Sequence, residues 1–373
     1  MRLKFSIAIA KLAGFASKQL LRKSGATIPG KILLSIYPKA LSVLAKNRTI
    51  ILVSGTNGKT STTRAITKCV ESLGQTVSNS TGSNLDRGVA TSLMNKSEYA
   101  VLEVDELHLI KVAKEINPKV VLLLNLTRDQ LHRMHEVKKV AKRWHDLARE
   151  LPNTTFIGDV DDPFVAYALN GGFAPKRISF GGRAHEDGAV CPNCGKYLNW
   201  NQKGFNCSCG LTNNDAEINL TAGSAAIRNA QLANIAAEKI GAAPIEINEA
   251  ALERSAELNV KGVRTKLRLT KNPASWREAL LGIRSNNVIL ILNAREVDGI
   301  DTSWLWDIDF SSLKGKKIAV TGERALDMVY RLHVQGIDSK DFKDFESAVG
   351  HFEKNSNVDV LAAYTAFHGL VRA

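Results

Sequence analysis

Short apolar runs alternate with amphipathic stretches along the chain from Thr49 onward. The runs TIILVSG, YAVLEVDE, KVVLLLNLT, TTFIGD and RISFGG each have about the length of one strand. Strands that alternate with helical stretches predict βαβ units around a largely parallel sheet. After an alanine-rich helix near Ala225 to Ile240, the runs NNVILILN, KKIAVTG and VDVLAAY form a second series of the same kind. The sequence therefore predicts two α/β domains.

The length of 373 residues suits two or three domains. Residues 1–47 have loosely spaced apolar positions with lysines and arginines between them, which predicts a helical segment packed on the domain that follows. A helix lying on a membrane surface is the alternative for this segment. We expect a central domain at 48–261, interrupted by a Gly/Asn/Cys-rich insertion at about 183–215, and a C-terminal domain at 262–373.

The chain carries an excess of positive charge, with 50 lysines and arginines against 37 aspartates and glutamates, a net charge of +13. That excess favours an anionic partner, namely a nucleic acid, a nucleotide or an acidic membrane surface. With 44% hydrophobic and 23% charged residues, the composition is that of a folded globular protein. No run reaches about 18 uninterrupted apolar residues and no cleavage site follows the first apolar run, so we expect a cytoplasmic protein without a membrane-spanning helix.

The segment SGTNGKTSTT, from Ser54 to Thr63, follows an apolar strand and precedes a helical stretch, as a phosphate-binding loop does. Backbone N–H groups from Gly55 to Thr60 would cradle phosphate oxygens at the start of the helix. Lys59 would neutralise the β- and γ-phosphates, and the Thr60 hydroxyl would coordinate Mg²⁺. Val53 and Ser54 stand where the general pattern has its first glycine. The predicted nucleotide-binding residues in this loop are Gly55, Thr56, Asn57, Gly58, Lys59, Thr60 and Ser61.

Polar residues follow two of the predicted strands. Glu103 and Asp105 end the run YAVLEVDE, and strand alternation places both on one face, with Glu106 turned away. Either carboxylate could bind Mg²⁺. The alternative is that both are solvent-exposed charges that bind no metal. Asn125 and Asp129 follow the next strand at the same carboxyl edge, where ligands of open α/β sheets gather.

Four of the five cysteines are Cys191, Cys194, Cys207 and Cys209, in the segments CPNCG and CSCG. Two such pairs, separated by twelve residues, predict a tetrahedral zinc site with four thiolate ligands. Because no coordination position is open to water, the zinc would be structural and would stabilise an inserted ribbon that lacks its own core. The fifth cysteine, Cys69, occupies an apolar helix position and is expected to be buried.

The segments GTNGKTS, NLTRDQLHR and IGDVDDP, together with Glu103, resemble the central ATPase domain of the Mur ligases. Those enzymes phosphorylate a carboxylate and let an amine attack it. Three further features narrow the resemblance to the MurT family, the ligase-like subunits of lipid II isoglutaminyl synthases. They are the two cysteine segments, the segment TKNPASWREAL and the segment NAREVDGIDTSWLWDIDF. The implied fold is a Mur ligase-like central P-loop ATPase domain with an inserted zinc ribbon, plus a C-terminal Rossmann-like α/β domain.

The resemblance also implies roles for single residues, with ATP, Mg²⁺ and Zn²⁺ as cofactors. Glu103 matches the Mg²⁺-binding glutamate and would share the metal with Thr60. Asn229 matches an asparagine near the nucleotide, and Asn272 lies in a motif that faces ATP. Asp301, the second aspartate of DGID, matches a residue that reaches the partner's active site. The implied catalytic residues are Lys59, Glu103 and Asp301.

The sequence departs from the family pattern at three positions. His132 stands in place of an aspartate, Ala226 in place of an asparagine, and Ser275 in place of a glycine. Many Mur ligases also carry a carbamylated lysine, and Lys142 is a candidate in the vicinity. These departures concern details of the nucleotide site rather than the reaction class.

The activity implied is ATP-dependent amidation of the D-glutamate α-carboxylate in the lipid II stem peptide, through an acyl phosphate. Glutamine-derived ammonia normally needs a cysteine nucleophile. This chain has no cysteine to spare, so the ammonia would come from a GatD-like glutamine amidotransferase in a heterodimer. Lipid II as substrate implies peripheral contact with the inner membrane face. There are two alternative functions: another Mur-type carboxylate–amine ligase, or a zinc-ribbon NTPase that binds nucleic acid. We expect no nucleic-acid partner, because the sequence shows no basic stripe interleaved with aromatic residues.

Overall fold

The computed structural model describes residues 2–21, 27–79, 83–128, 137–181, 185, 187–221, 223–246 and 255–372. Asp129 and His132 lie outside these residues. The chain divides into two compact units: unit 1 comprises Met1–Leu126 and Val137–Leu252, and unit 2 comprises Thr127–Glu136 and Glu253–Ala373.

Unit 1 is built around a seven-stranded parallel sheet. Its strands are β1 (Thr49–Ser54), β2 (Thr76–Ser78), β3 (Tyr99–Glu103), β4 (Val120–Leu123), β5 (Thr155–Asp159), β6 (Lys176–Ser179) and, after a short hairpin of β7 (Asn199–Asn201) and β8 (Gly204–Asn206), β9 (Ile218–Asn219). The strand order is β2-β3-β1-β4-β5-β6-β9. The central strands β1 and β4 are buried on both faces, as expected of a parallel sheet covered by helices.

Nine helices of unit 1 lie among the described residues. They are α1 (Arg2–Leu21), α2 (Ile28–Ile36), α3 (Ala40–Leu44), α4 (Lys59–Val70), α5 (Asp86–Leu93), α6 (Leu109–Ile116), α7 (Val137–Glu150), α8 (Pro163–Leu169) and α9 (Ala225–Glu238). Apolar side chains of α4 and α9, including Ile66 and Leu232, pack with β1 residues such as Val53 in one buried core. Cys69 is buried in this core, as the sequence predicts.

The cysteine-bearing insertion lies between β6 and β9 and contains the antiparallel hairpin β7–β8. Asn213 anchors it, because its Nδ2 donates to Asp161 Oδ1 at 2.8 Å and its Oδ1 accepts from the Phe205 N–H at 3.0 Å. Both Asn213 and Asp161 are buried. Buried polar contacts therefore join the insertion to the turn that follows β5.

Unit 2 contains a six-stranded sheet. Its strands are β10 (Ser255–Val260), β11 (Val263–Leu269), β12 (Asn287–Ile291), β13 (Lys317–Thr321), β14 (Lys340–Asp341) and β15 (Asn357–Ala362). The order is β10-β11-β15-β12-β13-β14, and within the sheet only the β10–β11 pair is antiparallel. Because β10 forms a hairpin with β11, the boundary lies before Ser255, and the expectation of a C-terminal domain beginning near Gly262 placed it too late.

Helices cover the sheet of unit 2. They are α10 (Pro273–Leu281), α11 (Ala325–Val334), α12 (Phe345–Val349) and α13 (Tyr364–Arg372), with 3₁₀ helices at Ser303–Asp307 and Ser311–Leu313. Trp276 on α10 packs against Trp304 and Phe310 in a buried aromatic cluster. Trp304 therefore belongs to the core of the unit, whereas its neighbour Trp306 is exposed.

A buried ion pair joins two adjacent strands of unit 2. Asp359 on β15 accepts hydrogen bonds from Arg268 Nη1 at 2.5 Å and from the N–H groups of Arg284 and Ser285, both at 2.8 Å. Desolvation alone would raise the pKa of Asp359, but the Ser285 N–H, Arg268 and the Arg284 N–H together hold it below its ordinary value. The charged form of Asp359 thus stabilises the folded state.

We predict that Asp359→Asn lowers the free energy of unfolding at pH 7 by about 2 kcal/mol, the scale of hydrogen bonds to a charged group. Because the pKa is lowered on folding, the difference should be full above the unfolded pKa of about 3.9 and disappear as the pH falls through the folded pKa. Urea unfolding of both proteins across this range measures it. Asp327→Asn, at a half-exposed ion pair with Arg324, is the control and should change little. A pH-independent difference for Asp359→Asn would contradict the prediction.

Candidate functional site

The loop between β1 and α4 has two glycines with positive φ angles, +142° at Gly55 and +86° at Gly58. A Cβ at Gly58 would lie 2.1 Å from Nδ2 of Asn229, and a Cβ at Gly55 would lie 2.9 Å from Cβ of Leu124. Backbone conformation and close packing therefore both require glycine at these positions. The same packing places Asn229, predicted near the nucleotide, directly against the loop.

Asn125, which follows β4, holds the loop through reciprocal hydrogen bonds. Its backbone carbonyl accepts from the Thr56 N–H at 2.9 Å, and its Oδ1 accepts from the Asn57 N–H at 3.0 Å. Its Nδ2 donates to the Asn57 carbonyl at 2.9 Å. The N–H groups of Thr56 and Asn57, expected to face phosphate, are thus bonded to Asn125. The first turn of α4, from Gly58 to Ser61, would supply further N–H donors for an anion.

The Lys59 side chain folds back over the loop. Its Nζ donates to the Gly55 carbonyl at 2.5 Å and lies 3.0 Å from Oε1 of Glu106. Both side chains are largely buried, with 12% and 5% of their surface exposed. The expectation that Glu106 turns away was therefore wrong. Strand β3 ends at Glu103, so the two-residue alternation does not extend to Glu106, which lies in the following turn.

Trp144 on α7 fixes the turn that carries Glu106. Its indole Nε1 donates to the Glu106 carbonyl at 3.2 Å, and the Trp144 ring is fully buried. Sequence reasoning missed the role of Glu106 because its contacts with Trp144 and Lys59 join positions far apart in the chain. The only local signal was a third acidic residue after the strand.

Glu103 and Asp105 have different environments. Glu103 is buried at the end of β3, next to Val53 of β1, and Asn79 bonds its backbone N–H and carbonyl at 2.8 and 2.9 Å. Asp105 is partly exposed and accepts from the Leu107 N–H at 3.0 Å, as a turn-forming aspartate does. Solvated charge, the alternative considered for both, does not describe Glu103. Of the two, Glu103 is the better candidate for a magnesium ligand, and that role stays a prediction.

The first turn of α9 is held at the sheet edge. Ser224 caps the helix by accepting from the Ile227 N–H at 3.3 Å. Arg228, adjacent to Asn229, lies 3.5 Å from Asp159 at the end of β5, and both side chains are buried. Ala226 lies in this turn and provides no polar group to the site. The chain thus uses an ion pair and a cap to position Asn229.

The predicted site residues of unit 2 have local structural roles. Asn272 caps α10 by accepting from the Ser275 N–H at 3.0 Å, while Ser275 Oγ accepts from the Asn272 N–H at 3.0 Å. The serine that replaces the family's glycine thus completes a capping box. Asp301 is exposed and accepts from the Ser303 N–H at 2.8 Å before the 3₁₀ helix. Its expected action in a partner's active site stays a prediction.

The four clustered cysteines converge in unit 1, with all sulfur atoms within 4.8 Å of one another. The Cys191–Cys209 and Cys194–Cys207 sulfur distances are 3.7 and 3.4 Å. A tetrahedral zinc ion with bonds of about 2.3 Å requires sulfur separations of about 3.8 Å, so the cluster fits zinc.

Positive φ angles of +77° at Gly195 and +91° at Gly210 form the turns after each cysteine pair. Burial raises the pKa of Cys191 to about 12. Desolvation would also raise the pKa of Cys209, but the Leu211 N–H and hydrogen bonds from neighbouring groups lower it to about 6.

Lys142, the candidate for carbamylation, is exposed on α7. Its Nζ lies 3.4 Å from Oδ2 of Asp146, one helical turn away. Its modification stays a prediction.

Two solved structures share the fold of the chain. A pseudomurein peptide ligase type C from Methanothermus fervidus has a TM-score of 0.65 at 16% identity, covering 88% of this chain and 79% of that one. The MurF ligase from Thermotoga maritima has a TM-score of 0.61 at 14% identity, covering 94% and 83%. At these identities the likeness concerns the fold alone, and it confirms the predicted Mur ligase-like α/β architecture.

Sequence comparisons are more specific. The model of the Mur ligase middle domain matches residues 53–237, and that of the MurT ligase C-terminal domain matches residues 269–367. Subunit MurT of the glutamine-hydrolyzing lipid II isoglutaminyl synthase from Streptococcus pneumoniae is 28% identical, over 98% of this chain and 96% of its own length. MurT from Staphylococcus aureus is 27% identical, over 91% and 89%. With both family models in sequence order and MurT subunits aligned over nearly the whole chain, the chain belongs to the MurT family of Mur ligases.

Proposed function

We propose that this protein is the ligase subunit that amidates the D-glutamate α-carboxylate of the lipid II stem peptide to D-isoglutamine, using ATP. The observation that carries the proposal is the β1–α4 loop, with buried Lys59 and Glu103 at one sheet edge. The sequence relatives also support the proposal, because they are named as subunits of lipid II isoglutaminyl synthases.

The loop and α4 would bind the ATP phosphates. The N–H groups in the first turn of α4 lie at the positive end of the helix dipole, which attracts anions. Gly58 has no side chain and lets the phosphates approach the backbone. Lys59 would exchange its contacts with Gly55 and Glu106 for phosphate oxygens. Thr60 and Glu103 would supply a hydroxyl and a carboxylate to hold Mg²⁺, and the bound ion would neutralise phosphate charge and polarise the γ-phosphate.

The reaction would occur in two displacements. An oxygen of the substrate carboxylate attacks the γ-phosphorus, and the bond to the β,γ-bridging oxygen breaks, which gives an acyl phosphate and ADP. Ammonia then attacks the carbonyl carbon, phosphate leaves with its C–O bonding electrons, and loss of a proton gives the amide. Lys59 and the α4 N–H groups would stabilise the negative charge that develops on the transferred phosphoryl group.

The ammonia would come from a GatD-like glutamine amidotransferase subunit. Of the five cysteines, four form the cluster and Cys69 is buried beneath α9, so none fits a nucleophile for glutamine. Asp301 would then act on the partner's Cys–His pair by orienting the imidazole and stabilising its protonated form. Its exposure on unit 2 is compatible with such a contact.

A lipid-linked substrate would place the protein at the cytoplasmic face of the membrane. Within the described part of the chain, no helix combines the length and apolar character needed to cross a bilayer. We therefore propose peripheral association rather than insertion.

We predict one zinc ion per chain, held by the four clustered cysteines. Elemental analysis of purified protein should find it, and Cys194→Ser with Cys207→Ser should remove it because two thiolate ligands are lost. Cys69→Ser is the matched control and should retain the metal. Undiminished zinc in the double variant would refute the assignment.

We predict that Lys59→Ala and Glu103→Ala each reduce amidation at least about 100-fold, because each removes a charge that stabilises phosphoryl transfer. The measurement is product formation with saturating ATP and partner subunit. Lys68→Ala, at an exposed lysine of the same helix, should leave the rate within twofold. Near-normal rates in the first two variants would show that the loop is not the site of phosphoryl transfer.

We predict that Asp301→Asn cripples glutamine-dependent amidation but leaves amidation driven by high free ammonium largely intact. Asp309→Asn is the matched control, because Asp309 accepts from the Ser311 N–H at 2.9 Å in the same kind of turn before the next 3₁₀ helix. Complex formation with the amidotransferase should be unchanged in both. Equal loss with the two nitrogen sources would mean that Asp301 supports the fold or the ligase site instead.

A further inference from the structure

Helix α1 has one face packed on α2 and another directed to solvent. On the packed face, Ala10 is buried with Leu33 of α2, and Ile7 packs against the same cluster. Gly14 allows the two helices to approach closely, because a Cβ there would lie 2.5 Å from Cγ of Pro29. These contacts set the rotation of α1 about its own axis.

The opposite face of α1 carries large apolar side chains. Phe5, Leu12 and Phe15 are 68%, 69% and 64% exposed. Their spacing of seven and three residues aligns them along one side of the helix. Since the contacts with α2 already use the other face, this apolar stripe plays no part in the core of unit 1.

Charge identifies what this stripe fits. Lys4 and Lys11 are exposed beside it. The first 48 residues contain seven lysines and three arginines but no aspartate or glutamate, and the first acidic residue of the chain is Glu71. An apolar helix face bordered by cations, in a segment without anions, matches an anionic bilayer surface, where apolar rings enter the acyl boundary and lysines reach the headgroups.

We propose that α1 lies in the interface of an anionic membrane, with Phe5, Leu12 and Phe15 inserted and Lys4 and Lys11 at the headgroups. The proposal deepens the proposed function, in that it names the surface that brings the ligase to a lipid-linked substrate. A nucleic acid would use the positive charge, but its bases stack on aromatic rings and would leave the aliphatic Leu12 uncovered.

The test is co-sedimentation of the full chain with vesicles of 30% phosphatidylglycerol in phosphatidylcholine, and with phosphatidylcholine alone. We expect at least tenfold stronger binding to the anionic vesicles. The triple variant Phe5→Ser, Leu12→Ser, Phe15→Ser should lower that binding at least tenfold, because the inserted side chains are lost. Lys4→Gln with Lys11→Gln should lower it several-fold and reduce its salt dependence.

A matched triple variant separates this surface from general surface hydrophobicity. Phe173→Ser, Leu281→Ser and Leu326→Ser change residues of comparable exposure elsewhere and should leave binding within twofold. Thermal unfolding of each variant checks the fold, and the lysine variant keeps the test valid if the first triple variant is unstable. Unchanged binding by the α1 triple variant, or no vesicle binding by the wild type, would overturn the proposal. Since no turnover is measured, the outcome does not depend on the proposed amidation.

Discussion

The hydrogen bonds between Asn125 and the loop after β1 determine the geometry of the candidate site. The loop has positive φ angles at Gly55 and Gly58, and Asn125 gives it three hydrogen bonds, one through its backbone and two through its side chain. They fix where α4 begins and therefore where the N–H groups of its first turn point. Gly58 and Asn229 can be in contact only because the loop is held in this position.

The second constraint is electrostatic. An ammonium group buried at the loop without a partner would be costly, and Glu106 provides the opposite charge at 3.0 Å. A polyphosphate could replace that carboxylate as the counter-ion of Lys59. The pair thus holds the Lys59 side chain close to the loop, at the point where the chemistry we propose needs a cation.

Two of the residues implied by resemblance also serve the fold. Asn272 and Asp301 each accept a backbone hydrogen bond at the start of a helix, a role that asparagine and aspartate fill in many proteins. A change at either position therefore has structural as well as functional consequences. This is why the test of Asp301 compares two nitrogen sources and uses Asp309, which has the same local role, as its control.

The sequence by itself determined the strand and helix order, the strand–loop–helix at Ser54 to Thr63 and the cysteine cluster, because each depends on residues close together in the chain. Tertiary structure decided which side chains meet across distant segments. Four contacts at the site join positions that are 38 to 171 residues apart in the chain. They are the contacts of Asn125 with Asn57, Glu106 with Lys59, Trp144 with Glu106, and Asn229 with Gly58. The pairing of β10 with β11 and the solvent-facing stripe of α1 likewise depended on packing. Local patterns give the period of an element, but its register and rotation follow from the contacts that bury most apolar surface and satisfy every buried polar group.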